Sequence, residues 1–164
     1  MRALLARSTA TDNTSERLAR IDALLATDPS GSERVDLLLA RVTLYQQAQP
    51  ANTAAALQDA LAALALLTDD AERSDLLATV AELQSALGQH ADAAATLQQR
   101  ADLRAGGTTP TDVRMDYLLQ VALRWQNAGD YERMLTTAQA GLALAADGPH
   151  TAEPAITRQL QQLV

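Results

Sequence analysis

Apolar residues recur along this chain at intervals of three and four, the spacing that puts them on one face of an α-helix. Segment 33–48 carries Val35, Leu38, Val42 and Tyr45. Segment 71–87 carries Leu76, Leu77, Val80, Leu83 and Leu87, and segment 112–128 carries Met115, Leu118, Val121, Ala122 and Trp125. Each is followed, after a short polar break, by a second stripe that mixes small and large residues. These are Ala56, Ala60 and Leu64 in 53–67, Ala94, Leu97 and Ala101 in 90–103, and Met134, Ala138 and Leu142 in 131–145. The pattern predicts three helical hairpins. A further helix is expected over 15–26. Another is expected over 155–163, with Ile156, Leu160 and Leu163 on one face to cap the last hairpin. Residues 1–12 are expected to be only partly ordered.

The punctuation agrees with this division. Turn-forming clusters stand at "TDPSGS" (27–32), "QPAN" (49–52), "TDD" (68–70), "GQ" (88–89), "AGGTTPT" (105–111), "AGD" (128–130) and "DGPHT" (147–151). The short breaks at Gly88 and Gly129 force the helices they join to lie antiparallel. Ser32, Asp70 and Thr109 are the expected N-caps of the three first helices, with Pro110 at the first helical position of the third.

Three stretches are nearly the same phrase: "ERVDLLLARVTLYQQ", "ERSDLLATVAELQSA" and "VRMDYLLQVALRWQN". Arg34 and Asp36 match Arg73 and Asp75, and both match Arg114 and Asp116. The aspartates are 39 and then 41 residues apart. A period near 40 with one hairpin per period predicts an all-α fold, an αα-hairpin repeat solenoid in which each hairpin stacks on the next. The whole chain, 1–164, is expected to form one domain. Its parts are an N-terminal arm and capping helix over 1–30, three hairpin repeats over 31–147, and a C-terminal capping helix over 148–164.

Composition narrows the function. Hydrophobic residues make up 48% of the chain, aromatic residues only 2%, and there is no Phe. That suits close-packed helices rather than sheets. With no cysteine there is no disulfide, thiolate nucleophile or Cys-based zinc site. A formal net charge of −7, with arginine the only basic residue besides histidine, argues against nucleic acid and against an anionic membrane surface. The longest apolar run, "ALAALALL", is far short of the ~18 residues that span a bilayer. The apolar run near Met1 is too short for a secretory signal, which needs about 7–15 apolar residues. A soluble, cytoplasmic protein is the expectation.

The segment 114–146, with Leu118, Val121, Ala122, Trp125, Gly129-Asp130-Tyr131, Met134, Ala138 and Leu142, resembles a tetratricopeptide repeat. Met134 and Ala138 reverse the sizes that the family prefers. The unit at 73–103 resembles it through Leu77, Val80, Ala81, Gly88, Ala93 and Leu97, with Gln84 where the family has an aromatic residue. The first unit keeps Leu38, Val42 and Tyr45 but has Pro50 in its turn. The long period is similar to the variant found in kinesin light chains.

The resemblance implies a concave groove lined by the first helix of each hairpin. In this chain the groove residues would be Asp36, Leu39, Thr43 and Gln46; Asp75, Ala78, Glu82 and Ser85; and Asp116, Leu119, Leu123 and Gln126. It implies a non-enzymatic module that binds a peptide or helix of a partner protein, extended or helical and with basic side chains. Two readings of the aspartates stay open: an acidic rail for that partner, or charges offsetting the helix macrodipole. The matching arginines would pair with acids on neighbouring repeats. The groove lacks the Lys, Arg and Asn pattern with which some family members grip a C-terminal carboxylate. Alternatives are a small secretion-type chaperone of the bacterial three-repeat format, and a structural subunit that homo-oligomerises through its end repeats. Trp125 and Tyr131 are expected to pack the third hairpin turn. His90 and His150, both in turns, make no metal site. No nucleophile elbow, phosphate loop or dinucleotide fingerprint is present, so neither catalysis nor a cofactor is expected.

Overall fold

The computed structural model of the chain describes residues 14–48, 51–105, 109–147 and 154–164. The readings made for residues 1–12, Pro50 and His150, and for 106–108 and 148–151 in the two long loops, lie outside them. The described residues form eight α-helices and no strand. They are α1 (Thr14–Leu25), α2 (Gly31–Gln47), α3 (Thr53–Leu66), α4 (Asp70–Ala86), α5 (His90–Leu103), α6 (Thr111–Ala128), α7 (Tyr131–Asp147) and α8 (Pro154–Leu163). Every bound lies within two residues of the sequence expectation. No helix among the described residues is long and apolar enough to cross a membrane. The chain divides into two compact units, Met1–Leu67 and Thr68–Val164, and the division falls in the "TDD" turn after the first hairpin.

The caps differ in detail from expectation. Helix α2 starts from Ser30, not Ser32: the Glu33 carboxylate accepts from the Ser30 backbone N–H at 3.3 Å and from its hydroxyl at 2.9 Å. Helix α4 is capped by Asp69, not Asp70, because Asp69 Oδ1 accepts from the backbone N–H of both Ala71 and Glu72 at 2.9 Å. Pro110, not Thr109, is the N-cap of α6. Its extended ψ of 149° keeps it outside the helix, while its carbonyl accepts the first helical bond from Arg114 at 3.1 Å. The turns after α4 and α6 contain Gly88 and Gly129 at φ of 75° and 76°, a backbone state that side-chain-bearing residues resist.

In the first unit α2 packs against both α1 and α3. It therefore needs two apolar faces. Leu37 and Leu44 join Ile21 of α1, with Leu18, Leu24, Leu25 and Ala40 around them. Val35, Leu38 and Val42 are buried too, as are Ala56, Leu57, Ala60 and Ala63 of α3. One polar node ties the three helices. Arg41 of α2 donates from Nε and Nη2 to the two carboxylate oxygens of Asp59 on α3, each at 2.6 Å. Its Nη1 donates to Asp22 Oδ1 on α1, also at 2.6 Å. Asp59 is only 6% exposed. Its bidentate bond holds the Arg41 pKa above the ordinary value against the opposing effect of burial, and the Asp22 bond adds to it.

In the second unit α4 packs on α5, α5 on α6, α6 on α7, and α8 lies against α7 and α6. Its core joins Ala81 of α4, Ala93, Ala94 and Leu97 of α5, Met115, Leu119, Val121, Ala122 and Trp125 of α6, Met134 and Ala138 of α7, and Leu160 of α8. Gln84, in the place of an aromatic residue, is buried and accepts from the buried Thr96 hydroxyl at 2.8 Å. Helix α8 docks closely at Gly141: a Cβ there would stand 2.9 Å and 3.2 Å from the two Leu160 methyl groups. Leu160 is fully buried and has little room to yield.

Two outcomes follow from these contacts. Arg41→Met strands the Asp59 carboxylate in the first unit, so urea unfolding should show a loss of about 2–3 kcal/mol. Adding Asp59→Leu should recover most of it, because a well-packed apolar pair replaces a buried ion pair at little cost. Gly141→Ala should cost ~1–3 kcal/mol by overpacking. Its mark is faster amide exchange in α8, with exchange in α4 unchanged.

Candidate binding face

Asp36, Asp75 and Asp116 each stand sixth in their helices, α2, α4 and α6. That is the second turn. The first-turn acids are other residues: Glu33, then Asp70 and Glu72, then Asp112. Macrodipole stabilisation fades beyond the first turn, so helix capping is a poor account of the repeated aspartate. Asp36 and Asp75 are exposed, and Asp116 is half-buried.

The other expected groove residues divide by burial. Thr43, Gln46, Glu82, Leu123 and Gln126 are exposed, while Leu39, Ala78 and Ser85 are half-buried. Leu119 is not a groove residue: it is 5% exposed and belongs to the core. Leu118, expected in the core, is half-buried, with its Cβ close to Gly141 of α7. Helix α6 is covered by neighbours on two sides, which widens its apolar stripe to include Leu119.

The expected pairing of the repeat arginines across hairpins is not what the structure builds. Arg34 pairs with Asp28 in the turn just before α2, at 3.1 Å. The Arg73 Nε is buried without a hydrogen-bond partner. Arg114 lines a small cavity with Asp102 of the preceding hairpin, Leu118 and Leu144, and Asp102 there accepts from Gln98.

A cluster that the sequence reading missed lies where α5 runs between α4 and α6. The Arg100 guanidinium sits over the Tyr117 ring of α6, 4.4 Å from its centre, and its Nη1 reaches Gln120 Oε1 at 3.5 Å. The Gln120 amide nitrogen donates in turn to Asp116 Oδ2 at 2.6 Å. Just past the end of α5, the C-cap residue Arg104 donates from Nε to the fully buried Ser74 hydroxyl of α4 at 3.1 Å. The signal was present in the sequence. Arg100 and Arg104 continue the inward edge of α5 after Ala93 and Leu97, where a charged residue interrupts the apolar stripe.

Two further clefts flank the hairpin turns. One, of about 530 Å³, is floored by Trp125 and rimmed by Gln98, Glu132, Arg133 and Thr136. Arg133 covers the Trp125 ring at 4.6 Å and pairs with Asp130 at 3.4 Å. Tyr131, expected to pack this turn, is 65% exposed. It is the first residue of α7, and Arg133 takes the place over Trp125 instead. The other cleft, of about 350 Å³, is lined by Gln89, His90, Asp92 and Asn127. His90 Nδ1 is buried there without a partner. Among the described residues no group of three or more His, Asp or Glu is placed to hold a metal. No family model matches the chain, and no curated protein matches it in sequence.

Trp125 is the one tryptophan of the chain and reports on this turn directly. Arg133→Ala should shift its fluorescence to the red as the ring gains water. The accompanying stability loss should be about 0.5–1 kcal/mol in thermal unfolding. An unchanged spectrum would show that Arg133 does not cover the ring in solution.

Proposed function

We propose that this protein is a non-enzymatic, tetratricopeptide-like interaction module. It binds a peptide or helix of a partner protein through the first helices of its hairpins, α2 in the first unit and, independently of it, α4 and α6 in the second. The observation that carries this reading is the recurrence of an aspartate at the sixth position of three first helices, outside the first turn. Asp36 and Asp75 are exposed, and a cap or core role accounts for neither. Similar hairpin lengths support the repeat assignment: 17, 17 and 18 residues for the first helices, and 14, 14 and 17 for the second. In the second unit α5 packs on both α4 and α6, as a stacked repeat requires.

A second reading has its own observation. Helix α3 leaves Leu61 and Leu66 44% and 42% exposed. Its one charged side chain, Asp59, is buried against Arg41. An apolar outer face of this kind favours self-association.

Affinity capture from lysate with mass spectrometry identifies the partner, and cross-linking maps the bound segment. The triple variant Asp36→Asn, Asp75→Asn, Asp116→Asn should then bind about tenfold more weakly, from two exposed pairs and one half-buried pair of roughly 0.5 kcal/mol each. Its thermal midpoint should stay close to that of the parent. Undiminished binding by the triple variant would remove the aspartates from the interface. A mass that doubles on concentration in light scattering would favour self-association instead.

A further inference from the structure

We infer that the seam along α5, between its contacts with α4 and with α6, takes a carboxylate side chain of the bound segment, held by the guanidinium groups of Arg100 and Arg104. This rests on the groove reading for where the segment lies, but not for the charge it carries there.

Arg104 is the C-cap residue just past α5, one turn after Arg100, and its backbone N–H donates to the Arg100 carbonyl at 3.3 Å. One reaches Ser74 on α4, the other Tyr117 and Gln120 on α6. Both side chains are half-buried. Neither has a carboxylate within 4.0 Å among the described residues. Arg100 Nε is fully buried with no hydrogen-bond partner, and so is Nε of Arg73, the neighbour of Ser74. Arg100 has five N–H donors, and its hydrogen bond to Gln120 is 3.5 Å long, at the limit of a useful bond. Half-buried cations with unmet donors are costly.

Arg41 in the first unit shows what this chain does with such a group when it closes the account internally: three bonds of 2.6 Å to two aspartates. Arg100 and Arg104 are instead oriented by a glutamine, a serine and an aromatic ring, neutral partners that leave their charge available to a group from outside. Stacking on Tyr117 fixes the plane of the Arg100 fork. A fixed planar fork suits a carboxylate, which it meets with two parallel bonds.

Asp75 and Asp116 stand on the two flanking helices, and Asp116 is linked to Arg100 through Gln120. They repel a polyanion. The segment that fits has one acidic side chain pointing into the seam and basic side chains on either side, towards the aspartates. A nucleic-acid strand has the wrong charge everywhere but at the two arginines.

The probes are fluorescein-labelled, acetylated and amidated helical peptides of Ala and Leu, with one Glu flanked by Lys, and matched peptides with Gln in its place. The Glu peptides should bind at least about tenfold tighter than the Gln peptides, the effect of one charge-assisted bidentate pair. Arg100→Met should abolish that preference, and Arg100→Lys should keep part of it. Circular dichroism confirms that both variants remain helical. Asp75→Asn with Asp116→Asn should weaken both peptides alike and leave the preference intact. Equal binding of Glu and Gln peptides would overturn the carboxylate site and leave the groove standing. No binding by any peptide overturns both, and an oligodeoxynucleotide that displaces the peptide overturns the choice of ligand. Independently of peptide sequence, N-acetylglutamate methylamide should shift the Arg100 Nε–H resonance, and an unmoved resonance counts against the site.

Discussion

A helix with neighbours on two sides must be apolar over more than one stripe, and it must still present some residues to water. Helices α2 and α6 both live under that constraint. Helix α2 meets it with Leu37 and Leu44 towards α1, together with Val35, Leu38 and Val42. Helix α6 meets it by drawing Leu119 into the core beside Met115, Val121, Ala122 and Trp125. The partner helices answer with small residues. Ala56, Ala60 and Ala63 of α3, Ala93 and Ala94 of α5, and Ala138 of α7 are fully buried and let the backbones approach. Gly141 takes this furthest, since α8 seats Leu160 where any side chain would stand.

Packing of this kind leaves little space for polar groups, and several of those inside come in bonded sets, while Arg73 Nε, Ser85 Oγ, His90 Nδ1 and Arg100 Nε are buried without a hydrogen-bond partner. Arg41 with Asp59 and Asp22, Gln84 with Thr96, and Ser74 with Arg104 each join different helices. The uncharged pair Gln84–Thr96 adds little net stability, but each of these sets penalises the wrong register, because one residue of slip leaves a donor or acceptor stranded. An Ala and Leu core is nearly featureless along the helix axis. In such a core polar pairs can help fix the alignment of helices that apolar contact alone would let slide.

Much of this was legible in the sequence because helical periodicity and turn chemistry are local. The hairpin lengths, the glycine turns and the apolar stripe of α8 needed nothing beyond near neighbours. What stayed hidden depends on which helix touches which. Leu118 and Leu119 are adjacent leucines, and only the positions of α7 and the core decide that the second lies deeper. The caps at Ser30 and Asp69 fell one or two residues away from the expected ones because Ser32 and Asp70 are equally good capping residues, and only the backbone chooses between them. Tyr131 and Arg133 compete for the same ring, and cation–π contact with Trp125 goes to the arginine. The Arg100 cluster was hidden for the same reason: its members come from three helices.

The arginines differ more clearly than the acids do in how their charge is met. Acids on this chain outnumber bases 20 to 13, so an exposed Asp is ordinary and informs weakly. An arginine that is half-buried on an acidic chain has many carboxylates to choose from. Arg41 has taken two of them, and Arg34 and Arg133 have each taken one nearby. Arg100 and Arg104 have taken none, and spend their donors on a glutamine, a serine and an aromatic face. Neutral partners orient a guanidinium without cancelling its charge. That combination holds a cation in place while leaving its field open, which is what a recognition site requires and what a structural salt bridge removes.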